Sequence, residues 1–373
     1  MKNLLLVLFL MPALFAFSQA PEAVKTYNEA VAAVKAKDHV AAIRLYTASL
    51  ELDPKYAPSY YGRASAKMAL KHYEEATKDF QKCLSLDDDN AKAFYYLAYC
   101  QMKISDNENA LVNFDKAVQL DEGRYKAYNY KALIHIKNKN YNLAIKDLNN
   151  FLKKDKDNET AYFNLGVCYY KEGLRELAIQ AYSDAIKIRP DYEDALYERL
   201  KLNYKLENYQ DCIRDANEIL AINANNTDAR NYRANSYLKT EQDDLALKDY
   251  ERLNQLEPGN SSVIQNIALL SLRMKDYDNA IAKYSQLIAA EPDKAANYKN
   301  RSIAYMQKEA WQKALKDLNQ LIEMSPKNAD AFYNRSNVNL QLNNTEKACE
   351  DMREAAKLGF EQAFQYIPGL CNN

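Results

Sequence analysis

The sequence predicts an all-α fold made by stacking one helical hairpin ten times, and three observations lead to it. First, small residues recur every 34 positions: Ala42, Ala76, Ala110, Ala144, Ala178, Cys212, Ala246, Ala280, Ala314 and Ala348. Fixed periods of this length are the mark of repeat architectures. Second, only 7 of 373 residues are Gly, too few for the many tight turns that sheets require. Third, Pro54, Pro190, Pro258, Pro292 and Pro326 all stand at one phase of the period. With 48% apolar residues the chain is globular rather than disordered. A formal charge of −1 gives it no general affinity for a phosphate backbone, so nucleic acid is not an expected partner.

The repeats begin at residues 23, 57, 91, 125, 159, 193, 227, 261, 295 and 329, and the phase holds over 23–362 without insertion. Each repeat reads as two helices. A small residue on each helix lets the axes approach closely, and four positions after the second one comes a bulkier side chain on the same face, as in Tyr46, Phe80, Phe114, Tyr182, Tyr250 and Tyr284. The proline falls where a second helix must stop. The fifth repeat carries the pattern most fully: Ala161-Tyr162-Phe163-Asn164-Leu165-Gly166, then Ala178, Tyr182, Ala185 and Pro190. This pattern resembles the tetratricopeptide repeat. The resemblance implies a right-handed superhelical solenoid of helix-turn-helix repeats. The sixth repeat departs most, with Leu200, Cys212 and Ala216 at the key places, so its helix spacing is expected to differ slightly.

Ahead of the first repeat, Lys2 precedes an apolar run from Leu4 to Phe17 and then Ser18-Gln19-Ala20. This is the pattern of a secretory leader, 1–18, with 20 as the alternative end. The run is shorter than the ~20 apolar residues a spanning helix needs, so no integral membrane segment is expected after cleavage. Export to the periplasm or cell surface of a Gram-negative bacterium is the expectation.

Six repeats carry a base at their seventh position and Asp sixteen residues later. The pairs are Arg63 and Asp79, Lys131 and Asp147, Arg199 and Asp215, Arg233 and Asp249, Arg301 and Asp317, and Arg335 and Asp351. The remaining repeats have neither member, for example Leu165 and Ala181. A buried base without its acid would be costly, so both change together, and a structural salt bridge between the paired helices is expected.

Cys83, Cys100, Cys168 and Cys212 occupy small-residue packing positions or lie within first helices, and read as buried, unpaired substitutes for Ala. After Gly359, the residues Ala363, Phe364, Ile367 and Leu370 predict a capping helix, with residues 361–373 as cap and tail. Cys349 and Cys371 flank Phe360 symmetrically, which places them opposite one another in a hairpin. Export makes a disulfide between them chemically reasonable, and similar Cys-flanked ends occur in exported proteins of the resembled family.

The three His residues, His39, His72 and His135, do not converge on one place, and no CxxC, HExxH or GxSxG spacing is present. No metal, cofactor or catalytic residue is expected. The resemblance instead implies a concave groove lined by the first helix of each repeat. Carried over residue by residue, that groove holds Tyr61, Tyr95, Tyr99, Lys103, Asn129, Lys137, Phe163, Tyr170, Lys171, Tyr197, Lys201 and Tyr204. Tyrosine offers contact area with little entropy to lose and a hydroxyl for backbone hydrogen bonds, which suits an extended peptide. The carboxylate-gripping arrangement of some family members is only partly met: Lys299 and Asn334 fit, but Ile303 stands where a second Asn belongs. The function expected is that of an exported protein-interaction scaffold with a protein or peptide partner, its oligomeric state open. One alternative is a structural subunit of an envelope complex using its convex face or ends. Another is a helical cell-wall-active enzyme, which would need two acids converging in a cleft.

Overall fold

The computed structural model describes residues 16–371, with side chains from Pro21 onward. Of the expected leader, residues 1–15 lie outside the described residues. The described residues form helices throughout and no strand. Two compact units divide at Pro190 and Asp191. In the first lie α1 (Ala16–Lys35), α2 (His39–Leu52), α3 (Ala57–Ala69), α4 (Tyr73–Leu84), α5 (Ala91–Lys103), α6 (Asn107–Leu120), α7 (Lys126–Lys137), α8 (Tyr141–Leu152), α9 (Glu159–Lys171) and α10 (Arg175–Ile188). In the second lie α11 (Glu193–Lys205), α12 (Tyr209–Ile222), α13 (Thr227–Lys239), α14 (Asp243–Leu256), α15 (Ser261–Arg273), α16 (Tyr277–Ala290), α17 (Ala295–Gln307), α18 (Trp311–Met324), α19 (Ala329–Gln341), α20 (Thr345–Lys357) and α21 (Ala363–Cys371). Each odd-numbered helix through α19 packs against the even-numbered helix after it. Helix α1 opens at Ala16, ahead of the repeat phase at 23, and carries Pro21 inside it.

Local chemistry explains why the hairpins form. Asn90, Asn158, Asn226 and Asn328 stand one period or more apart and cap α5, α9, α13 and α19, each accepting the amide of an Ala three residues on at 2.9–3.1 Å. Such caps satisfy an amide that the helix itself cannot. Within each hairpin, the second residue beyond the first helix turns left-handed. Lys37, Lys71, Ser105, Lys139, Glu207, Glu241, Lys275, Glu309 and Asn343 all have φ between 56° and 65°, and only the fifth repeat places Gly, at Gly173. A left-handed L-residue costs ~1–2 kcal/mol, so helix packing rather than local preference holds nine of these turns.

The packing faces follow the small-residue pattern. Ala64, Ala76, Ala98, Ala110, Ala234, Ala246, Phe80, Phe114, Tyr250 and Tyr284 are all fully buried. Gly166 shows why size matters: a Cβ there would lie 2.6 Å from the Tyr182 ring. The sixth repeat exchanges the sizes, with bulky Leu200 in the place of Gly and Ala216 in the place of Tyr, and both are fully buried. Its departure from the pattern is a reciprocal volume swap.

At the C-terminal end α21 covers Met352, Ala355 and Ala356 with Ala363, assisted by Phe360, Ile367 and Leu370. Phe364 does not join them and is 58% exposed, contrary to the sequence reading. Ala363, Ile367 and Leu370 follow helical spacing onto one face, and Phe364 falls a hundred-degree step to the side. Cys349 and Cys371 form a disulfide with Cα atoms 5.2 Å apart. The other four Cys are buried and free, and burial pushes the Cys100 thiol up to about 12 and those of Cys83, Cys168 and Cys212 up to about 11. Such thiols are unreactive.

A tyrosine-lined cleft on the first-helix face

Charged pairs join the two helices of six hairpins. The six pairs lie at 2.7 Å (Arg63–Asp79), 3.1 Å (Lys131–Asp147), 2.6 Å (Arg199–Asp215), 2.6 Å (Arg233–Asp249), 2.7 Å (Arg301–Asp317) and 2.6 Å (Arg335–Asp351). All six Asp side chains are buried.

The base also reaches beyond its own hairpin. Arg63 donates to Thr47, Lys131 to Asp115, Arg233 to Asn217, Arg301 to Ser285 and Arg335 to Asn319, at 2.6–3.1 Å. Each of these acceptors sits on the second helix of the preceding repeat, so one side chain ties three helices together. A further group one helical turn after the base supports the Asp: Lys67 at 2.9 Å, Asn203 at 3.1 Å and Asn339 at 3.0 Å. Sequence reading found the pairs and missed both kinds of extension; for the supporting group the signal was Lys67, His135, Asn203 or Asn339 four places after four of the six bases.

In the fourth repeat the supporting residue is His135, whose Nε2 lies 3.6 Å from Asp147 Oδ2. Burial lowers its pKa below the ordinary value, with Lys131 adding to the effect and Asp147 and Asp115 opposing it. The unfolded chain therefore takes up this proton first as pH falls. Stability is constant above the ordinary value of ~6.5 and declines as pH drops through it. His135→Asn, which copies Asn203 and Asn339, is expected to lose less stability than the parent between pH 7.5 and 5.5 (chosen to bracket that value). Urea midpoints across that range test it, and equal slopes for the two proteins would refute it.

The cleft itself lies in the first compact unit. Helix α5 touches both α3 and α7 directly, which makes a face of first helices. On that face a cleft of about 500 Å³ is lined by Met68, Tyr95, Tyr96, Tyr99, Gly123, Arg124, Lys126 and Tyr130. A short 3-10 turn, Glu122–Arg124, stands where five other repeats place Pro, and brings Arg124 to the rim with Nε 2.8 Å from Asp121. The rings form a connected set. Tyr95 meets Tyr96 at 5.2 Å and Tyr130 at 6.1 Å, and Tyr99 meets Tyr130 at 5.4 Å. Tyr96 and Tyr130 are anchored by stacking on Phe80 and Phe114, at 6.2 and 5.6 Å. Edge and stacked ring pairs of this kind hold side chains in place before any ligand arrives. Burial pushes the Tyr61 hydroxyl up to about 12 and raises that of Tyr95 as well, so both remain protonated donors at neutral pH.

Of the residues expected in a groove, Tyr95 and Tyr99 line this cleft and Tyr61 flanks it, 6.4 Å from Tyr96. Lys103 lies over the Tyr99 ring at 5.2 Å. Asn129 and Lys137 are elsewhere on α7 and outside the cleft lining. Phe163 packs on Tyr182 at 5.8 Å, and Lys171 lies over its neighbour Tyr170 at 5.9 Å. A second cluster stands in the other compact unit. Lys201 lies over Tyr197 at 4.8 Å and pairs with Glu198 at 2.8 Å, the Tyr197 hydroxyl donates to Asp228, and Tyr204 meets Tyr232 at 5.2 Å. Lys103, Lys137, Lys171 and Lys205 all occupy the last turn of their helices, where a cation also complements the helix dipole. Tyr96, Tyr130 and Tyr232 were absent from the expected set. They share the sixth position of their repeats, and three Tyr in one register was the available signal.

Among the described residues no group of His, Cys, Asp and Glu could hold a metal ion. No described helix is long and apolar enough to cross a membrane.

Models of the tetratricopeptide repeat match residues 57–90, 160–192, and 266–319 with 299–361. No curated protein matches the chain. Among solved structures, the C-terminal part of a TPR repeat-containing protein from Cytophaga hutchinsonii is 18% identical over 65% of this chain and 99% of its own, with a TM-score of 0.55. A chain in the structure of Naa15/Naa10 bound to HypK-THB is 14% identical over 91% of this chain and 64% of its own, with a TM-score of 0.51. YrrB, described as a TPR protein with an unusual peptide-binding site, is 27% identical over 48% of this chain and 91% of its own, with a TM-score of 0.45. The period, the hairpins and the matched segments agree, and the chain is a tetratricopeptide repeat protein.

Proposed function

We propose that this protein is an exported scaffold that holds an extended peptide or protein segment against the face of its first helices. The observation that carries the reading is the cleft at Tyr95, Tyr96, Tyr99 and Tyr130, a pre-anchored aromatic surface with protonated hydroxyls and two cations at its rim. Aromatic plates with polar edges supply contact area and hydrogen bonds to an extended backbone at small entropic cost. The fold supports the same role, because repeat arrays present long binding surfaces rather than enclosed reaction chambers. The leader-like segment at 1–18 supports export, and the Cys349–Cys371 disulfide fits an oxidising compartment.

The test is capture of partner from the native host. Tyr95 is a poor choice of variant, because its ring also packs on Phe114 at 5.9 Å. Tyr99→Ala combined with Lys126→Ala leaves the stacked pairs intact. Loss of an aromatic anchor and a charge is expected to cost ~2–3 kcal/mol, reducing capture by more than about tenfold. Melting temperature should stay within a few degrees of the parent. Undiminished capture by the folded double variant would refute the reading.

A further inference from the structure

The seventh repeat breaks a pattern that four of the other five base-bearing repeats keep, the sixth having Leu196 at this place. Three residues before the base, Tyr60, Tyr128, Tyr298 and Phe332 each place a ring beneath it, with the cation 5.4–5.9 Å from the ring centre. In the seventh repeat this position is Arg230, and the ring is replaced by a second cation on the same acid. Arg230 Nη1 lies 3.1 Å from Asp249 Oδ1, which already receives Arg233 at 2.6 Å. The Arg230 Nε is buried without an acceptor.

The surplus charge is gathered in one place. A cleft of about 560 Å³ between α13 and α14 is lined by four bases, Arg230, Arg233, Lys248 and Arg252, against two acids, Asp249 and Glu251. Asp249 is saturated by its two arginines. Arg252 is exposed and held open by neutral acceptors only, Gln255 Oε1 at 3.0 Å and Asn225 Oδ1 at 3.1 Å. Lys248 is exposed beside it. An Arg positioned by amide oxygens keeps its full charge for an incoming anion, and its planar fork suits two oxygens of one group.

We infer that this cleft is a binding site for a doubly charged tetrahedral oxyanion, a phosphoryl or sulfate group. It lies apart from the tyrosine cleft and does not depend on it. The net excess of two positive charges matches a dianion, and the cleft has room for a group carrying one.

The experiment uses the full chain at low ionic strength. Inorganic phosphate and inorganic sulfate are titrated by calorimetry, and vesicles containing phosphatidic acid, whose headgroup is a phosphomonoester, are tested by co-sedimentation. Two variants accompany the parent. Arg230→Tyr restores the ring that four sibling repeats carry, so it is expected to fold, and Lys248→Gln with Arg252→Gln changes only exposed side chains. Saturable phosphate or sulfate binding, weakened more than about tenfold in both variants, supports a site for the free ion. Vesicle binding lost in both variants supports the same chemistry supplied by a lipid headgroup. Absence of binding in every arm would overturn the proposal. So would binding that either folded variant leaves unchanged, or binding of a poly-glutamate peptide without any of phosphate or sulfate.

Discussion

Asp317→Ala is expected to remove about 3–5 kcal/mol of stability from the ninth repeat, because it strands a charge in the interior. Arg301 lies 2.8 Å and 2.7 Å from the two Asp317 oxygens, and the Asp317 side chain is only 3% exposed. Once the carboxylate is gone, Arg301 keeps its hydrogen bond to Ser285 but has no counter-charge in its hairpin. The fifth repeat shows how the same place is filled without charge, by Leu165 and Ala181, both buried. Arg301→Leu together with Asp317→Ala should therefore recover most of the loss, to within about 1–2 kcal/mol of the parent. Hydrogen exchange of the α17 and α18 amides reads the effect locally, which suits an array whose repeats open separately. A double variant as unstable as Asp317→Ala would show that the pair contributes more than mutual neutralisation.

The second large effect is expected at the C-terminal cap. Cys349→Ser with Cys371→Ser opens a closed loop of sequence separation 22. Loop-closure entropy puts the loss at about 3 kcal/mol. Apart from the disulfide, helix α21 is held by Ala363, Ile367 and Leu370 alone on its apolar side, since Phe364 and Tyr366 are more than half exposed and Pro368 interrupts its ladder. Its departure would uncover Met352, Ala355 and Ala356 and loosen Tyr333, which packs on Phe360 at 4.5 Å. Exchange should speed first in α21 and then in α19 and α20, with α17 unaffected. Uniform exchange across all four helices would contradict this order.

The period, the hairpins and the acid–base pairs were legible in the sequence because each depends on residues at fixed spacing within one repeat. Ala64 and Ala76 announce a close helix approach wherever they stand, and Arg63 and Asp79 change together because neither is tolerable alone. What escaped depends on geometry between repeats. The bond from Arg63 to Thr47 joins two hairpins, and nothing in one period reveals it. Tyr96 and Tyr130 share a register with Tyr232, but Gly62 interrupts that register in the second repeat, and stacking on Phe80 and Phe114 is what shows their place at the cleft. Arg124 entered through a 3-10 turn that replaces Pro, a local change of backbone no hydrophobic pattern reports.

The central claim is that partners dock on the first-helix face. Photoreactive side chains placed one at a time answer it in intact host cells. Tyr99 and Lys201 stand on first helices, one in each compact unit, while Val112, Leu143 and Leu245 are exposed on second helices. The account predicts partner adducts from positions 99 and 201 and none from 112, 143 or 245. Adducts only from the second-helix positions would contradict it and assign the work to the second helices.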